Sequence, residues 1–299
     1  MATTASTIMM AYSDPALATE SPLAVNEFRD ADALVREAGW NQIDADWRIF
    51  LDLGQVYAVR NSNGRVVATA ATLPHNGKFA WISMVLVSAD YQRQGLATRL
   101  LRRCIDDLTA GGLIPVLDAT PAGREVYRAL GFEDMWGYHR VALRTPPRLS
   151  SDMNERIEVH PITDAVWLAL CDYDAAAFGA RRDAMLSRLR GRLPQAELYA
   201  TLGGRITGLL LGRDGRSANQ LGPLIADDDE TALALLQRAM SAIEAPIYLD
   251  FADAKTRVRG WLETVGFFDV RPLTRMALGS HQRFDDPQRT YAVVGPEFG

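Results

Sequence analysis

The chain repeats itself once, and that repeat limits what it can fold into. The segment VLDATPAGREVYRALGFEDMWGYHRVAL in the first half has a counterpart, YLDFADAKTRVRGWLETVGFFDVRPLTRMAL, in the second. Leu117-Asp118 aligns with Leu249-Asp250, Gly131-Phe132 with Gly266-Phe267, and Arg140 to Leu143 with Arg275 to Leu278. From each Gly to its closing Leu is 12 positions in both copies. Solenoid units run roughly 20 to 50 residues, so a repeat of about 135 is a domain duplication. A length of 299 residues suits two such domains. The polar stretch Arg144 to Glu155, broken by Pro146 and Pro147, is the expected boundary. The reading is therefore a flexible N-terminal tail over 1–22, a first domain over 23–145 and a second over 156–299.

Within the first copy, helical and strand patterns alternate. Ala31 to Ala38 reads as a helix closed by Gly39, and Asp44 to Leu53 as a second with Asp44 as its N-cap. Two β-rich runs, Val56 to Asn61 and Arg65 to Leu73, meet at Asn63-Gly64 and predict a hairpin. Phe79 to Val87 is apolar on both alternating faces, as a strand covered on both sides requires. Leu96, Leu100, Cys104, Ile105 and Leu108 then recur at helical spacing up to Gly111-Gly112. IPVLDA reads as a strand, Gly123 to Leu130 as a helix and Phe132 to Leu143 as a strand region.

Composition excludes several classes of function. Lys plus Arg is 32 against 37 Asp plus Glu, which argues against a dedicated nucleic-acid binder. Cys104 and Cys171 lie 67 positions apart with no CxxC and no Cys/His cluster, so neither a metal site nor a disulfide framework is expected. Both read as inert core, which fits a reducing cytoplasm. No apolar run approaches the 18 or so residues that span a bilayer, and the first basic residue is Arg29, so neither a membrane span nor a targeting peptide is expected.

The segment that carries chemistry is VLVSADYQRQGLAT, Val85 to Thr98. A buried strand runs into a polar turn, and a helix opens at Gly95 to Ala97. The first N–H groups of a helix have no internal partner and carry partial positive charge. Small residues at Gly95 and Ala97 let those groups approach a diphosphate closely. Arg93, Arg99, Arg102 and Arg103 add positive charge, and no acidic residue lies between Gln92 and Arg103.

With that pattern the first half resembles the GNAT superfamily, the acetyl-CoA-dependent N-acetyltransferases. The family's diphosphate loop, Q/R-x-x-G-x-G/A, is met by Gln92, Gly95 and Ala97, and its Tyr four residues before Gly-Phe is met by Tyr127 before Gly131-Phe132. The order of elements across residues 25 to 143 also looks like that fold. The stretch GWNQIDAD, the second GNAT-like half and the closing VGPEFG are similar to tandem bacterial GNAT proteins. The resemblance implies an α/β chain of two tandem domains, each a mixed, mostly antiparallel central sheet flanked by helices. It implies an acyltransferase that moves acetyl from acetyl-CoA to a primary amine by direct attack. Backbone groups of Val85, Leu86 and Val87 would pair with the pantetheine arm and orient the acetyl carbonyl. Gln92, Arg93, Gln94, Gly95, Leu96, Ala97 and Thr98 would hold the diphosphate. Thr120 stands where many relatives place a cofactor-touching Asn. Tyr127 would protonate the leaving thiolate, a transfer between groups of similar basicity. Trp40, Asn41 and Asp44 would lie over the acceptor end.

The general base stays open. Some relatives carry a Glu on the fourth strand, where this chain has Trp81. Asp44, Asp46, His75, Asp118, His139 and a water chain remain. The expected acceptor is a small-molecule amine. A protein lysine and a non-catalytic acyl-CoA sensor are the alternatives, and monomer and homodimer are both open. The second copy reads as disabled: Asp227, Asp228, Asp229 and Glu230 replace the glycine turn and would repel a diphosphate, and Leu262 stands where Tyr127 does. It is either a wall for the acceptor site or a structural relic.

Overall fold

The resemblance implies a mixed, mostly antiparallel sheet flanked by helices in each half, and in the structure the strands of the two halves run on into one sheet. The computed structural model describes residues 20–147, 149, 156–279 and 284–299. Residues 1–19 of the expected tail and most of the expected boundary segment lie outside them. The first half comprises β1 (Ser21–Pro22), α1 (Phe28–Glu37), α2 (Asp44–Leu53), β2 (Gln55–Arg60), β3 (Val66–Pro74), β4 (Phe79–Val87), α3 (Leu96–Ala110), β5 (Ile114–Ala119), α4 (Pro121–Arg128) and β6 (Phe132–Leu143). The second comprises β7 (Glu158–Pro161), α5 (Asp164–Phe178), α6 (Asp183–Ser187), β8 (Leu198–Leu202), β9 (Arg205–Arg213), β10 (Asn219–Ala226), α7 (Asp229–Met240), β11 (Ile247–Ala252), α8 (Thr256–Thr264), β12 (Phe268–Leu278) and β13 (Thr290–Val293).

The strands make one sheet in the order β1-β2-β3-β4-β5-β12-β6-β11-β13-β10-β9-β8-β7. Most neighbours are antiparallel; β4–β5 and β10–β11 are parallel. At the centre the halves exchange strands. β12 of the second half pairs with β5, Thr274 opposite Ala119, while β6 of the first half pairs with β11, Leu249 opposite Val141. The two exchanged strands also pair with each other, from Phe268 opposite Ala142 to Leu278 opposite Phe132. Because both strands derive from the same repeated segment, each carries the pattern that fits the other half's edge. Exchange of equivalent elements needs no new packing rule.

The two halves consequently share a core. Trp81 on β4 is fully buried and stacks on Phe178 of α5 at 5.6 Å between ring centroids; Phe79 stacks on Phe284 at 4.0 Å. Phe50 of α2 stacks on Phe298 at 5.1 Å. Offset aromatic pairs of this kind add to the area they remove from water. Along α3 the apolar stripe is buried as its spacing predicts, at Leu96, Leu100, Cys104 and Leu108.

One local expectation is corrected. Asp44 is not the N-cap of α2 but its exposed first residue; Ile43 is the cap, and its N–H donates to Asp46 Oδ2 at 2.9 Å. Two aspartates in one turn look alike in sequence, and the one three residues on reaches back to the free N–H.

Candidate active site

Strand β4 is built to open a gap. Thr69 of β3 faces Leu86 and Ala71 faces Ser83, so Met84 and Val85 oppose the single residue Ala70. This bulge bends the strand. Met84 takes φ 51°, rare for a residue with a side chain, and its carbonyl accepts a hydrogen bond from Thr69 Oγ1 at 2.9 Å. Parallel pairing of β4 with β5 stops at Trp81–Val116, and beyond it the strands diverge.

Three adjoining hollows follow that divergence. The first is a cavity of about 150 Å3, walled on one side by Ser83, Met84 and Val85 and on the other by Thr120 and Tyr127. Val85 leads into a second, shallower groove bounded by Val87, Gln92, Arg93 and the first turn of α3. Gly95 and Thr98 pass from there to a third, lined by Arg99, Arg102 and Arg103. The order is that of a long ligand with an apolar arm and an anionic end.

The start of α3 fits the anionic part. Gly95 is its N-cap at φ 80°, no side chain caps the helix, and a side chain built at Gly95 would meet nothing within 4 Å. The N–H groups of Leu96, Ala97 and Thr98 precede the first intrahelical bond, Arg99 N–H to Gly95 O at 2.9 Å, so they face the groove as donors. Gln92 ties the turn to the strand by donating to Val87 O at 3.4 Å. The carboxylate absent from the loop arrives from elsewhere in the chain: Glu20 pairs with Arg99 at 2.9 Å and lines the third hollow.

Not every residue named from the sequence faces this path. Leu86 and Leu96 turn their side chains into the core, so only their backbone is available. Gln94 folds back onto Asp90 O at 3.4 Å. Thr120 lines the cavity but also caps α4, accepting from Gly123 N–H at 3.3 Å. Tyr127 lines the cavity, and burial pushes its phenol above the usual tyrosine range, which keeps the proton in place. Trp40 lines the cavity. Asn41 does not: its side chain is fully engaged by the second half, accepting from Ser217 N–H at 2.9 Å and Ala218 N–H at 3.1 Å and donating to Ala218 O at 3.0 Å. Asp44 also stands outside. The adjacent Gln42 faces the cavity instead.

Four of the side chains considered as bases, Asp46, His75, His139 and Asp118, are held by neighbours of their own. Asp46 pairs with Arg192 at 2.7 Å and Arg213 at 3.0 Å. His75 is packed against Phe79, Trp81 and Phe178, and burial, helped by Arg182 and Arg275, pulls its imidazole down to about 3. His139 Nδ1 lies 2.6 Å from Asp253. Asp118 borders the cavity, but Arg275 donates to both its oxygens at 3.0 and 3.1 Å, and Trp81 Nε1 adds a third donor at 3.3 Å. Both cysteines are buried, and burial raises the Cys104 thiol to about 12. Among the described residues no group of three His, Cys, Asp or Glu is placed to hold a metal ion, and no helix is long and apolar enough to cross a membrane.

Several cavity residues escaped the sequence reading, among them two that bring charge from the second half. Arg271 of β12 and Glu297, four residues beyond β13, both come from the second half. Only the closing VGPEFG hinted at Glu297, and nothing local says where that segment lies.

The second half has the same splayed frame and fills it. β10 and β11 pair in parallel from Asn219–Ile247 to Leu221–Leu249 and then separate. β13 enters the gap, Ala292 pairing with both Leu224 and Phe251. At the start of α7 the Asp228 carboxylate accepts from Thr231 N–H at 2.8 Å. Leu262 is fully buried. Strand, cap and leucine occupy the places that groove, bare helix end and tyrosine hold in the first half.

Comparison with known proteins agrees with this geometry. Residues 23–132 match the model of the acetyltransferase (GNAT) family and residues 170–292 that of an acetyltransferase (GNAT) domain. The chain is 22% identical over 241 residues to the uncharacterized N-acetyltransferase YitH of Bacillus subtilis (strain 168), covering 78% of this chain and 82% of that protein. A candidate acetyltransferase of Pyrococcus horikoshii superposes with a TM-score of 0.76 at 19% identity, over 96% of this chain and 97% of the other. A tandem GNAT protein from the clavulanic acid biosynthesis pathway superposes at 0.62 and 15% identity, over 89% and 100%. The structural likenesses speak for the fold, and the two family matches together span most of the sequence. The chain belongs to the GNAT superfamily of acetyltransferases, as an acyltransferase built of two GNAT domains in tandem.

Proposed function

We propose that the chain transfers the acetyl group of acetyl-CoA to the primary amine of a small molecule, at one site in its first half. The observation that supports this most directly is the continuity of the three hollows, from the arginines past the bare end of α3 to the cavity beside Tyr127. Acetyl-CoA is the family's cosubstrate and brings the activated acyl group. The N–H groups of Leu96, Ala97 and Thr98 would hold its diphosphate, and the divergent edge of β4 its pantetheine arm. The bulge at Met84–Val85 lies in the cavity wall, where its backbone N–H groups would stabilise the negative charge developing on the carbonyl oxygen. The amine attacks the carbonyl carbon and gives up a proton to solvent, the carbon–sulfur bond breaks, the Tyr127 hydroxyl gives its proton to the leaving thiolate, and the phenolate takes a proton back from solvent. The phenol, raised by burial, stays protonated through neutral pH.

A small acceptor is favoured over a peptide. The cavity of about 150 Å3 falls below the ~300–1,000 Å3 typical of drug-sized ligands, and Arg271, Leu273, Pro296 and Glu297 wall its far side. The test is thiol release from acetyl-CoA with a panel of small amines. Tyr127→Phe should lower kcat about 100-fold with little change in acetyl-CoA affinity. Unchanged kcat in that variant overturns the acid assignment. Tight acetyl-CoA binding without turnover of any amine favours a sensing module.

A further inference from the structure

The cavity wall contributed by the second half carries polar atoms that the protein itself leaves without partners. Glu297 is 3% exposed; one carboxylate oxygen accepts from Arg213, and the other, Oε2, has no partner. Arg271 lines the same cavity with its buried Nε unpartnered, and no ion pair joins it to Glu297. Gln42 Oε1 and Ser83 Oγ, at 4% and 8% residue exposure, are likewise without partners. Buried polar atoms almost always find partners, so four open ones around a single cavity point to a polar ligand that completes them.

The neighbouring charges are already matched. Asp118 is neutralised by Arg275, and Arg140 is held at 2.9 and 2.7 Å by both oxygens of Asp250. Asp250 also accepts from Gln220 Nε2 at 2.6 Å. That leaves two unpartnered groups on the wall that the second half supplies, the Arg271 guanidinium Nε and the Glu297 carboxylate Oε2. A guanidinium recognises carboxylate and phosphate groups, and a carboxylate recognises an ammonium. Both residues are delivered by the exchanged strand β12 and the segment after β13, so the silent half has a defined task in the active half's site.

Accepting the N-acetyltransferase reading above, on which this rests, we infer that the acceptor carries an anionic group beside its amine, as an amino acid or aminophosphonate does, with Arg271 binding the anion and Glu297 Oε2 the amine. This makes Arg271 the specificity determinant for the acceptor and gives the two-domain architecture its use.

The experiment compares acceptors that differ only in the anion: amino acids against the amines left by their decarboxylation, and 2-aminoethylphosphonate against ethylamine. The wild-type protein should favour the anionic member of at least one pair by 10-fold or more in kcat/KM. Arg271→Gln should lower kcat/KM for that member about 10–100-fold, slow the plain amine far less and so erase most of the preference. Arg271→Lys should recover part of it. Equal acetyl-CoA affinity and equal melting temperature establish that the variants are folded. A wild type that acetylates plain amines as well as anionic ones overturns the inference while the acetyltransferase reading stands; so does an Arg271→Gln variant that slows both members equally. If acetyl-CoA binds and no amine of either kind is acetylated, the reading falls and the inference with it.

Discussion

Arg275 and Asp118 come from different halves of the chain yet form a buried two-point ion pair, Nε to Oδ1 at 3.0 Å and Nη2 to Oδ2 at 3.1 Å. Their repeat equivalents, Arg140 and Asp250, make the same contact with the roles of the halves reversed, at 2.9 and 2.7 Å. Each arginine sits on an exchanged strand and each aspartate on the strand that receives it. The exchange is thus locked twice by the same pair of residue types, in keeping with the internal pseudo-symmetry of the repeat.

Breaking one lock should be costly. Arg275→Met leaves the buried Asp118 carboxylate without its guanidinium, the Trp81 indole at 3.3 Å remaining as a neutral donor. Removal of one partner from a buried pair costs about 3–5 kcal/mol. Urea unfolding should show a loss of that order, and Arg275→Met with Asp118→Leu should lose less than the two single changes added together. Strict additivity would mean that the pair is not coupled.

Gly95 separates folding from binding. Its φ of 80° disfavours any side chain by about 1–2 kcal/mol, yet the space before it is open. Gly95→Ala should therefore fold with a modest loss of stability. Gly95→Glu adds both bulk and a negative charge where the diphosphate would lie, and acetyl-CoA affinity measured by calorimetry should fall at least about 10-fold. Undiminished affinity would remove the bare helix end from the binding site.

Local pattern made the site's frame legible. The spans of α2, β4, β5 and β6 follow from periodicity and turn residues because each is decided by its own few side chains. Gln92, Gly95 and Tyr127 pointed to the candidate site because their spacing reflects one strand–turn–helix and one helix–strand unit. What escaped is tertiary. Phe132 to Leu143 reads as a strand whichever sheet it joins, since its repeat partner Phe268 to Leu278 has the same pattern. Thr290 to Val293 shows no sign that it closes the β10–β11 gap. Arg271 and Glu297 lie more than 140 residues from Tyr127 in sequence, and only the exchange and the final segment bring them to the cavity.

His75 gives the protein an acid-sensitive core. Burial, then Arg182 and Arg275, lower its imidazole from 6.5 to about 3. A histidine depressed in the folded state stabilises above its unfolded value, and that contribution is lost as pH falls from about 6.5 toward 3, because the unfolded chain takes up the proton first. The slope is about 1.4 kcal/mol per pH unit, so this residue should cost about 2 kcal/mol between pH 7 and pH 5. Urea unfolding at both pH values should show that loss in the wild type and a smaller one in His75→Leu. Equal losses would place the acid sensitivity elsewhere.

The sequence reads the second copy as unable to hold acetyl-CoA, and the geometry of the second half gives that reading a physical cause. In the second half β13 lies where the pantetheine arm would run, the Asp228 carboxylate already caps α7, and Leu262 replaces the tyrosine. A dianionic ligand would have to displace a paired strand and approach Asp227, Asp229 and Glu230 as well. Calorimetric titration should therefore give a single acetyl-CoA per chain, and Gly95→Glu should weaken that one event and leave no other. Two bound molecules per wild-type chain, or a full-strength event persisting in the variant, would mean that the second groove opens in solution and that β13 is a removable plug.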